Sequence, residues 1–293
     1  MFFRYLPVFA ALFAGSTFAL PALAQGQNAP APPPVQRAEL WNTEQFTIRS
    51  NILGRDMLIQ VVKPLAPPQG RIPAVYMVDG NLYTSFAINP MVGAFTGEYA
   101  PAYFIGVGYP EQSTLQWVRQ RATDLLHQPN VDVAGPGYEY MEGVRSGGGA
   151  LFQRFLTEEL RPLVEARYAI DRERTVLAGI SYGGLFTTRV MLDDPTAFSA
   201  YLIGSPSIDV EPGLVARARN VQLRRGTQVY VSAGGSEEAE HLANARALTA
   251  ALRENPSGPA VTEWIVPDEG HVGFAPAFFG RALKTVLPPE ARR

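Results

Sequence analysis

The sequence predicts an α/β fold with a mostly parallel central sheet, and two observations carry that prediction. Short apolar runs recur along the chain: AVYMVD (74–79), YFIGVG (103–108), TVLAG (175–179), YLIG (201–204), QVYVSAG (228–234) and VTEWIV (261–266). Runs of this length and composition suit strands buried on both faces. Helical patterns fall between several of them, at residues 150–168 (ALFQRFLTEELRPLVEARY), 185–192 (LFTTRVML) and 239–254 (AEHLANARALTAALRE). Such alternation packs helices over a parallel sheet.

The chain begins with a different kind of segment. Residues 1–24 carry Arg4, an apolar stretch at 6–20 and a small-x-small end at Ala22-Leu23-Ala24, the layout of a cleaved secretory signal cut before Gln25. An apolar stretch of about 15 residues is short for a membrane span, so no stable anchor is expected. The expected location is the periplasm, or outside the cell. GQNAPAPPPVQR (26–37) cannot bury a core and reads as an extended tether, giving a linker over 25–38 and a folded domain over 39–293. EQFTIRS (44–50) and DMLIQVVKP (56–64), joined by NILGR, read as an antiparallel pair. Residues 109–149 fit neither pattern and are expected to form an insertion that covers one end of the sheet and shapes a cleft.

Composition narrows the function classes. A formal net charge of −2 argues against nucleic acid, which requires a basic surface. With no cysteine there is no disulfide, no lipid-bearing cysteine and no thiolate chemistry. The three histidines are dispersed, with no H-E-x-x-H, and SGGGAL (146–151) lacks the G-K-[ST] of a phosphate loop. No cofactor is expected, and the expected partner is a small molecule.

The informative stretch is GISYGG (179–184), between TVLA and LFTTRVML. A bare G-x-S-x-G arises by chance in roughly one chain in ten of this length, so the pentapeptide alone decides little. Its context decides more. A nucleophile elbow needs a strand, a turn tight enough to strain the serine, and a helix, and all three occur here in order. Gly179 and Gly183 stand where a side chain would collide with a neighbouring strand or helix. Ser181 is therefore the candidate nucleophile. The Tyr182 N–H, at the helix start, is a candidate donor to a developing oxyanion.

A serine hydroxyl needs a base. His271, in PDEGHVGF just after the last strand, is the candidate; His241 lies in a helical pattern and His127 precedes the serine. The acid that orients the base should lie between Ser181 and His271, after a strand. Glu237 leads, with Glu238 and Asp209 as alternatives, and a Ser–His dyad remains open; a glutamate at a helix start can serve only to complement the helix dipole. The second oxyanion donor is expected from the loop after the third strand, where Asn81 N–H is preferred over Gly80. Asp79 reads as a residue bonding loop amides. Tyr83, Phe86, Tyr109, Trp117, Tyr138 and Tyr140 fall in loops around the expected cleft. Tyr83 and Tyr109 are candidate substrate contacts, with ordinary loop packing as the other reading for each.

Residues 146–208, SGGGALFQRFLTEELRPLVEARYAIDRERTVLAGISYGGLFTTRVMLDDPTAFSAYLIGSPSI, resemble the bacterial putative-esterase family of α/β-hydrolases, which includes the enterobactin-type siderophore esterases. YMVDGNLYTSF, GVGYPEQ, RQRATDL, YVSAGGSEE and DEGHVGFAPAFFGRAL continue the match over most of residues 44–287. The resemblance implies an α/β-hydrolase fold, Ser181 as nucleophile, His271 as base, Glu237 at the acid position, and the amides of Asn81 and Tyr182 as oxyanion hole. It also implies that Arg121 lines the substrate cleft; the other reading of Arg121 is a surface pair with Asp124, three residues on. The chain departs from the family at Ile180 and Tyr182, where relatives commonly have His and Leu, and in SPSIDV and DLLHQP. These positions concern pocket walls rather than chemistry. The expectation is a serine ester hydrolase acting through an acyl-enzyme on a trilactone-type siderophore ester, with the ferric siderophore as partner. A carbohydrate acyl esterase of feruloyl or acetyl type is the alternative, and a catalytically silent binding protein is the alternative of another class.

Overall fold

Eight strands form one sheet in the order β1-β2-β4-β3-β5-β6-β7-β8 in the computed structural model, which describes residues 39–110, 113–133, 139–211 and 213–289. The signal segment, the linker over 25–38 and Tyr138 lie outside the described residues. The strands are β1 (Thr43–Arg49), β2 (Asp56–Val62), β3 (Ile72–Val78), β4 (Tyr103–Gly108), β5 (Ile170–Ile180), β6 (Ala200–Gly204), β7 (Gln228–Gly234) and β8 (Ala260–Val266). β1 pairs antiparallel with β2, and β2 antiparallel with β4; every other neighbouring pair is parallel.

The helices are α1 (Gly80–Tyr83), α2 (Ile88–Thr96), α3 (Thr114–Leu125), α4 (Gly149–Arg154), α5 (Arg161–Arg167), α6 (Tyr182–Asp193), α7 (Leu214–Ala218), α8 (Ala239–Arg253) and α9 (Ala275–Val286). A π-helical stretch, Phe155–Leu160, joins α4 to α5. No helix among the described residues is long and apolar enough to cross a membrane.

The core lies on both faces of the sheet. Every residue of β3 and β4 is buried, which is why those runs read as continuously apolar. Strand alternation sends Tyr76 and Val78 to one face, into the core that also holds Phe152, Phe155, Leu185, Phe186 and Leu248. Val75 and Met77 face the other way, beneath Met91 of α2 and Phe278, Phe279 and Leu283 of α9.

Three differences from the sequence expectations have physical reasons. β5 begins five residues early because IDRER, polar and partly exposed, still pairs through Ile170 with Ile72. The stretch 109–149 contains a regular helix, α3, capped by Ser113, whose hydroxyl accepts from Gln116 N–H. Its residues are mostly polar, so periodicity does not reveal it. α9 was also unpredicted, although Phe278, Phe279, Ala282 and Leu283 form a buried stripe with helical spacing. The turns that follow β3, β5, β6, β7 and β8 all leave the carboxyl ends of parallel strands. In open α/β sheets that edge is where ligands bind.

Candidate active site

Ser181 lies between β5 and α6 at φ 62 and ψ −121. This backbone region is strained for a residue with a side chain. The surrounding bonds hold it there: Ser181 N–H donates to Gly204 O at 2.9 Å, and Ser181 O accepts from Leu185 N–H at 2.9 Å. The glycines permit the turn. A Cβ on Gly179 would run into the Gly183 carbonyl and lie 2.8 Å from Val78 Cγ2, while one on Gly183 would lie 2.9 Å from the same methyl. Among the described residues the Ser181 hydroxyl makes no hydrogen bond, with His271 or any other group.

His271 and Glu237 meet at 2.8 Å, Nδ1 to Oε2. Gly234 makes that meeting possible. A Cβ there would lie 2.7 Å from Gly270 O, so only glycine lets the loop after β8 close on the end of β7. Gly235 N–H donates to Val266 O and Ser236 N–H to Glu269 O, tying the two loops together. Glu237 is fully buried at its side chain, and Oε1 accepts from Gly234 N–H at 2.6 Å. Burial pushes its carboxyl pKa up, but the bonds from His271, Ser205 and Gly234 outweigh burial and hold it below the ordinary glutamate value.

Ser205 is a member of this group that the sequence did not reveal. It follows β6, is buried, and has φ 36. Its hydroxyl donates to Glu237 Oε2 and lies 3.1 Å from His271 Nδ1. An ionised carboxylate only accepts, so the proton of the neutral imidazole sits on Nδ1, which leaves the Nε2 lone pair available. The alternative acids lie elsewhere. Asp209 accepts from Asn244 Nδ2 at 2.9 Å, and Glu238 is exposed at the start of α8.

The β3–α1 turn carries Asn81, whose side chain is locked in both directions to the Tyr109 backbone, donating at 2.8 Å and accepting at 2.7 Å. Asn81 N–H and Tyr182 N–H lie in the first turns of α1 and α6, where amides have no acceptor within the helix.

Arg121, Tyr109 and Tyr83 occupy places other than those expected. Arg121 forms a two-bond pair with Asp79, 2.8 Å for each bond, and not the surface pair with Asp124 that was the alternative to a substrate contact. Its guanidinium is thus engaged by a buried carboxylate rather than free in the cleft. Asp124 is held by Arg55 and Gln120. Tyr109 is buried in the core, and Tyr83 is buried against Phe86 and Phe279. Tyr109 directly follows the buried β4 and is drawn under the surface with it, and Tyr83 closes α1, packed under α9. Trp117 is half-buried beneath Arg121, and Tyr140 is exposed.

His241 stacks on His271, with ring centroids 4.8 Å apart and planes 28° apart. Glu237, His241 and His271 are close enough to suggest a metal site. Two of these three groups are already engaged with each other, since Glu237 Oε2 accepts from His271 Nδ1. His127 lies elsewhere, buried against Phe186.

The parallel sheet with helices on both faces, and the strained serine between β5 and α6, define the α/β-hydrolase fold. The chain belongs to the family described as "Putative esterase", whose profile matches residues 50–257, and it is a carboxylic ester hydrolase. It is 30% identical over 267 residues to the ferri-bacillibactin esterase BesA of Bacillus subtilis (strain 168), covering 85% of this chain and 90% of that protein. It is 33% identical over 177 residues to the siderophore triacetylfusarinine C esterase of Aspergillus fumigatus, covering 58% of this chain and 57% of that one. The crystal structure of BES protein from Bacillus cereus superposes with a TM-score of 0.73 at 25% identity, covering 87% of this chain and 99% of that chain.

Proposed function

We propose that this enzyme hydrolyses siderophore esters of the trilactone type through an acyl-enzyme on Ser181. The observation that carries the mechanism is the buried Glu237 bonded to His271 Nδ1, which leaves Nε2 as a base at the sheet edge that also bears the strained serine. Ser181 Oγ attacks the ester carbonyl carbon and its proton passes to Nε2. Glu237 stays ionised and stabilises the imidazolium. The oxyanion accepts from the N–H groups of Asn81 and Tyr182. Collapse breaks the ester C–O bond, and the alcohol leaves with the proton from Nε2. Water, deprotonated by His271, then attacks the acyl carbon and releases the acid with Ser181 restored.

The substrate class is supported by the names of the relatives, one an esterase of ferri-bacillibactin and one of triacetylfusarinine C. Exposed apolar side chains support it further: Leu82 beside Asn81 and Val272 beside His271 offer a non-polar rim to a bulky ligand. The N-terminal segment supports export to the periplasm, and sequencing of the mature protein should begin at Gln25. The deciding assay compares hydrolysis of ferric siderophores with that of feruloylated and acetylated sugars, alongside fluorophosphonate labelling. Labelling of Ser181 with faster siderophore hydrolysis is the expected result. Faster release of ferulate or acetate replaces the substrate assignment, and failure to label overturns the serine mechanism.

A further inference from the structure

Arg121 reaches from α3 to Asp79, 42 residues away, and the pair touches both turns that carry the proposed oxyanion donors. Asp79 stands at φ 56 immediately before Gly80 and Asn81, and its carbonyl accepts from the N–H groups of Leu82 at 2.9 Å and Tyr83 at 3.1 Å. Its carboxylate, with no exposure, also lies against the elbow: a Cβ on Gly183 would be 3.3 Å from Asp79 Oδ2. The guanidinium carbon lies 5.3 Å from the centre of the Tyr182 ring and 5.5 Å from that of Trp117. One ion pair therefore includes the residue before Gly80-Asn81 and lies against Tyr182 and Gly183 on its other side.

We propose that Asp79 and Arg121 are positioning residues that fix the separation of the Asn81 and Tyr182 amides, so that both reach the same transition-state oxygen. The proposal rests on the serine mechanism above. A planar fork bonded through two parallel N–H groups sets direction as well as distance, which a point charge or an apolar contact does not. Buried ion pairs are often no more stabilising than an apolar pair of equal volume, so stability alone gives weak reason for one here. Geometry gives a stronger one. Oxyanion donors must lie about 2.7–3.1 Å from the developing charge, and a misplacement of about 1 Å can cost on the order of 10² in rate.

The test uses Arg121→Lys, which keeps the charge but loses the fork, and the double variant Asp79→Asn/Arg121→Gln, which leaves no orphaned charge. Three quantities are read: kcat, affinity for a boronic acid that forms a tetrahedral adduct on the serine, and affinity for intact substrate in a Ser181→Ala background. For the double variant we expect kcat and boronic-acid affinity to fall on the order of 10², with substrate affinity within about threefold. Arg121→Lys should show the same split, at about tenfold. Unchanged kcat and boronic-acid affinity in a folded double variant overturn the proposal, as does an equal loss of substrate and boronic-acid affinity. If the double variant does not fold, wild-type values in Arg121→Lys overturn it. A wild-type enzyme that neither labels with fluorophosphonate nor binds the boronic acid overturns the serine mechanism itself, and the positioning role with it.

Discussion

Two fully buried carboxylates stand at the carboxyl edge of the sheet, Glu237 and Asp79, and they hold different bases. Asp79 grips a guanidinium that is almost buried with it, at 13% exposure, whereas Glu237 grips an imidazole that remains 36% exposed. A guanidinium is charged at every working pH, so the first pair cannot exchange a proton with anything. An imidazole changes charge readily, and its second nitrogen faces away from the carboxylate. Both carboxylates are fully buried, yet one pair is suited to hold backbone in place and the other to move a proton. The partner, rather than the carboxylate, decides the role.

The sharpest way to break this comparison is to remove what the imidazole acts on. Ser181→Ala should lower kcat on the order of 10⁶ with an unaltered far-ultraviolet spectrum, because nucleophile and base fail as a unit. Retention of more than a few per cent of activity in a nitrophenyl ester assay would place the chemistry elsewhere. Glu237→Gln follows, with kcat down on the order of 10⁴: a neutral amide cannot stabilise the imidazolium, and its NH₂ favours the wrong tautomer. Asp209→Asn and Glu238→Gln should stay within about twofold in the same assay, since neither carboxylate touches His271.

Glu237 also predicts a pH dependence. Its folded-state pKa lies below the unfolded value, so its contribution to stability is present above the unfolded value of about 4.3 and is lost as pH falls through the lower folded value. The melting-temperature gap between wild type and Glu237→Gln should therefore close only in acid below about pH 4. A gap that closed near neutrality would mean that some other group had been titrated.

The sequence made the elbow, the histidine after β8 and the leading acid legible because each is a local pattern. A G-x-S-x-G sits between strand and helix, a histidine follows the last strand, and a glutamate follows β7. Ser205 and the Asp79–Arg121 pair were not legible. Ser205 is a serine among the serines of GSPS, and its place beside Glu237 arises only when β6 and β7 pair, with Ser205 N–H donating to Ser232 O at 2.7 Å. Arg121 had a carboxylate three residues away, and local spacing pointed there. The sheet instead brings in Asp79, from a strand two positions earlier in the chain. Tyr109 misled for a related reason: a residue just past a strand reads as loop, whereas its side chain can still follow the strand inward; Tyr83 ends a one-turn helix too short to show a period.

The comparison sharpens further through stability. Asp79→Ala leaves Arg121 charged, buried and unpaired, and should cost about 3–5 kcal/mol in urea unfolding. Glu237→Ala should cost less, about 1–3 kcal/mol, because it leaves no buried charge unpaired and His271 is partly exposed. Equal losses would show that the two pairs differ less in character than their partners imply.

Ser205→Ala is the smallest and most discriminating change. The hydroxyl donates a hydrogen bond to Glu237 Oε2 and stands 3.1 Å from His271 Nδ1, a place from which it holds the carboxylate. Without it, Glu237 keeps two bonds, from Gly234 N–H and His271, and the imidazole keeps its tautomer. What is lost is one of the three bonds that hold the carboxyl pKa down and its oxygen in line. A charge-assisted bond of this kind contributes about 1.5–3 kcal/mol. Much of that is recovered when Glu237 relaxes toward its remaining donors, so kcat should fall by roughly tenfold, or about 1.4 kcal/mol. Ser205→Thr is a poor control, because a β-branched residue tolerates φ 36 badly. Ser205→Gly removes the hydroxyl and relieves the backbone together, so it should match Ser205→Ala in kcat while melting no lower. If Ser205→Ala were as damaging as Glu237→Gln, the hydroxyl would be a full partner in proton transfer. If it ran at the wild-type rate, Glu237 would need only two of its three bonds to hold the histidine.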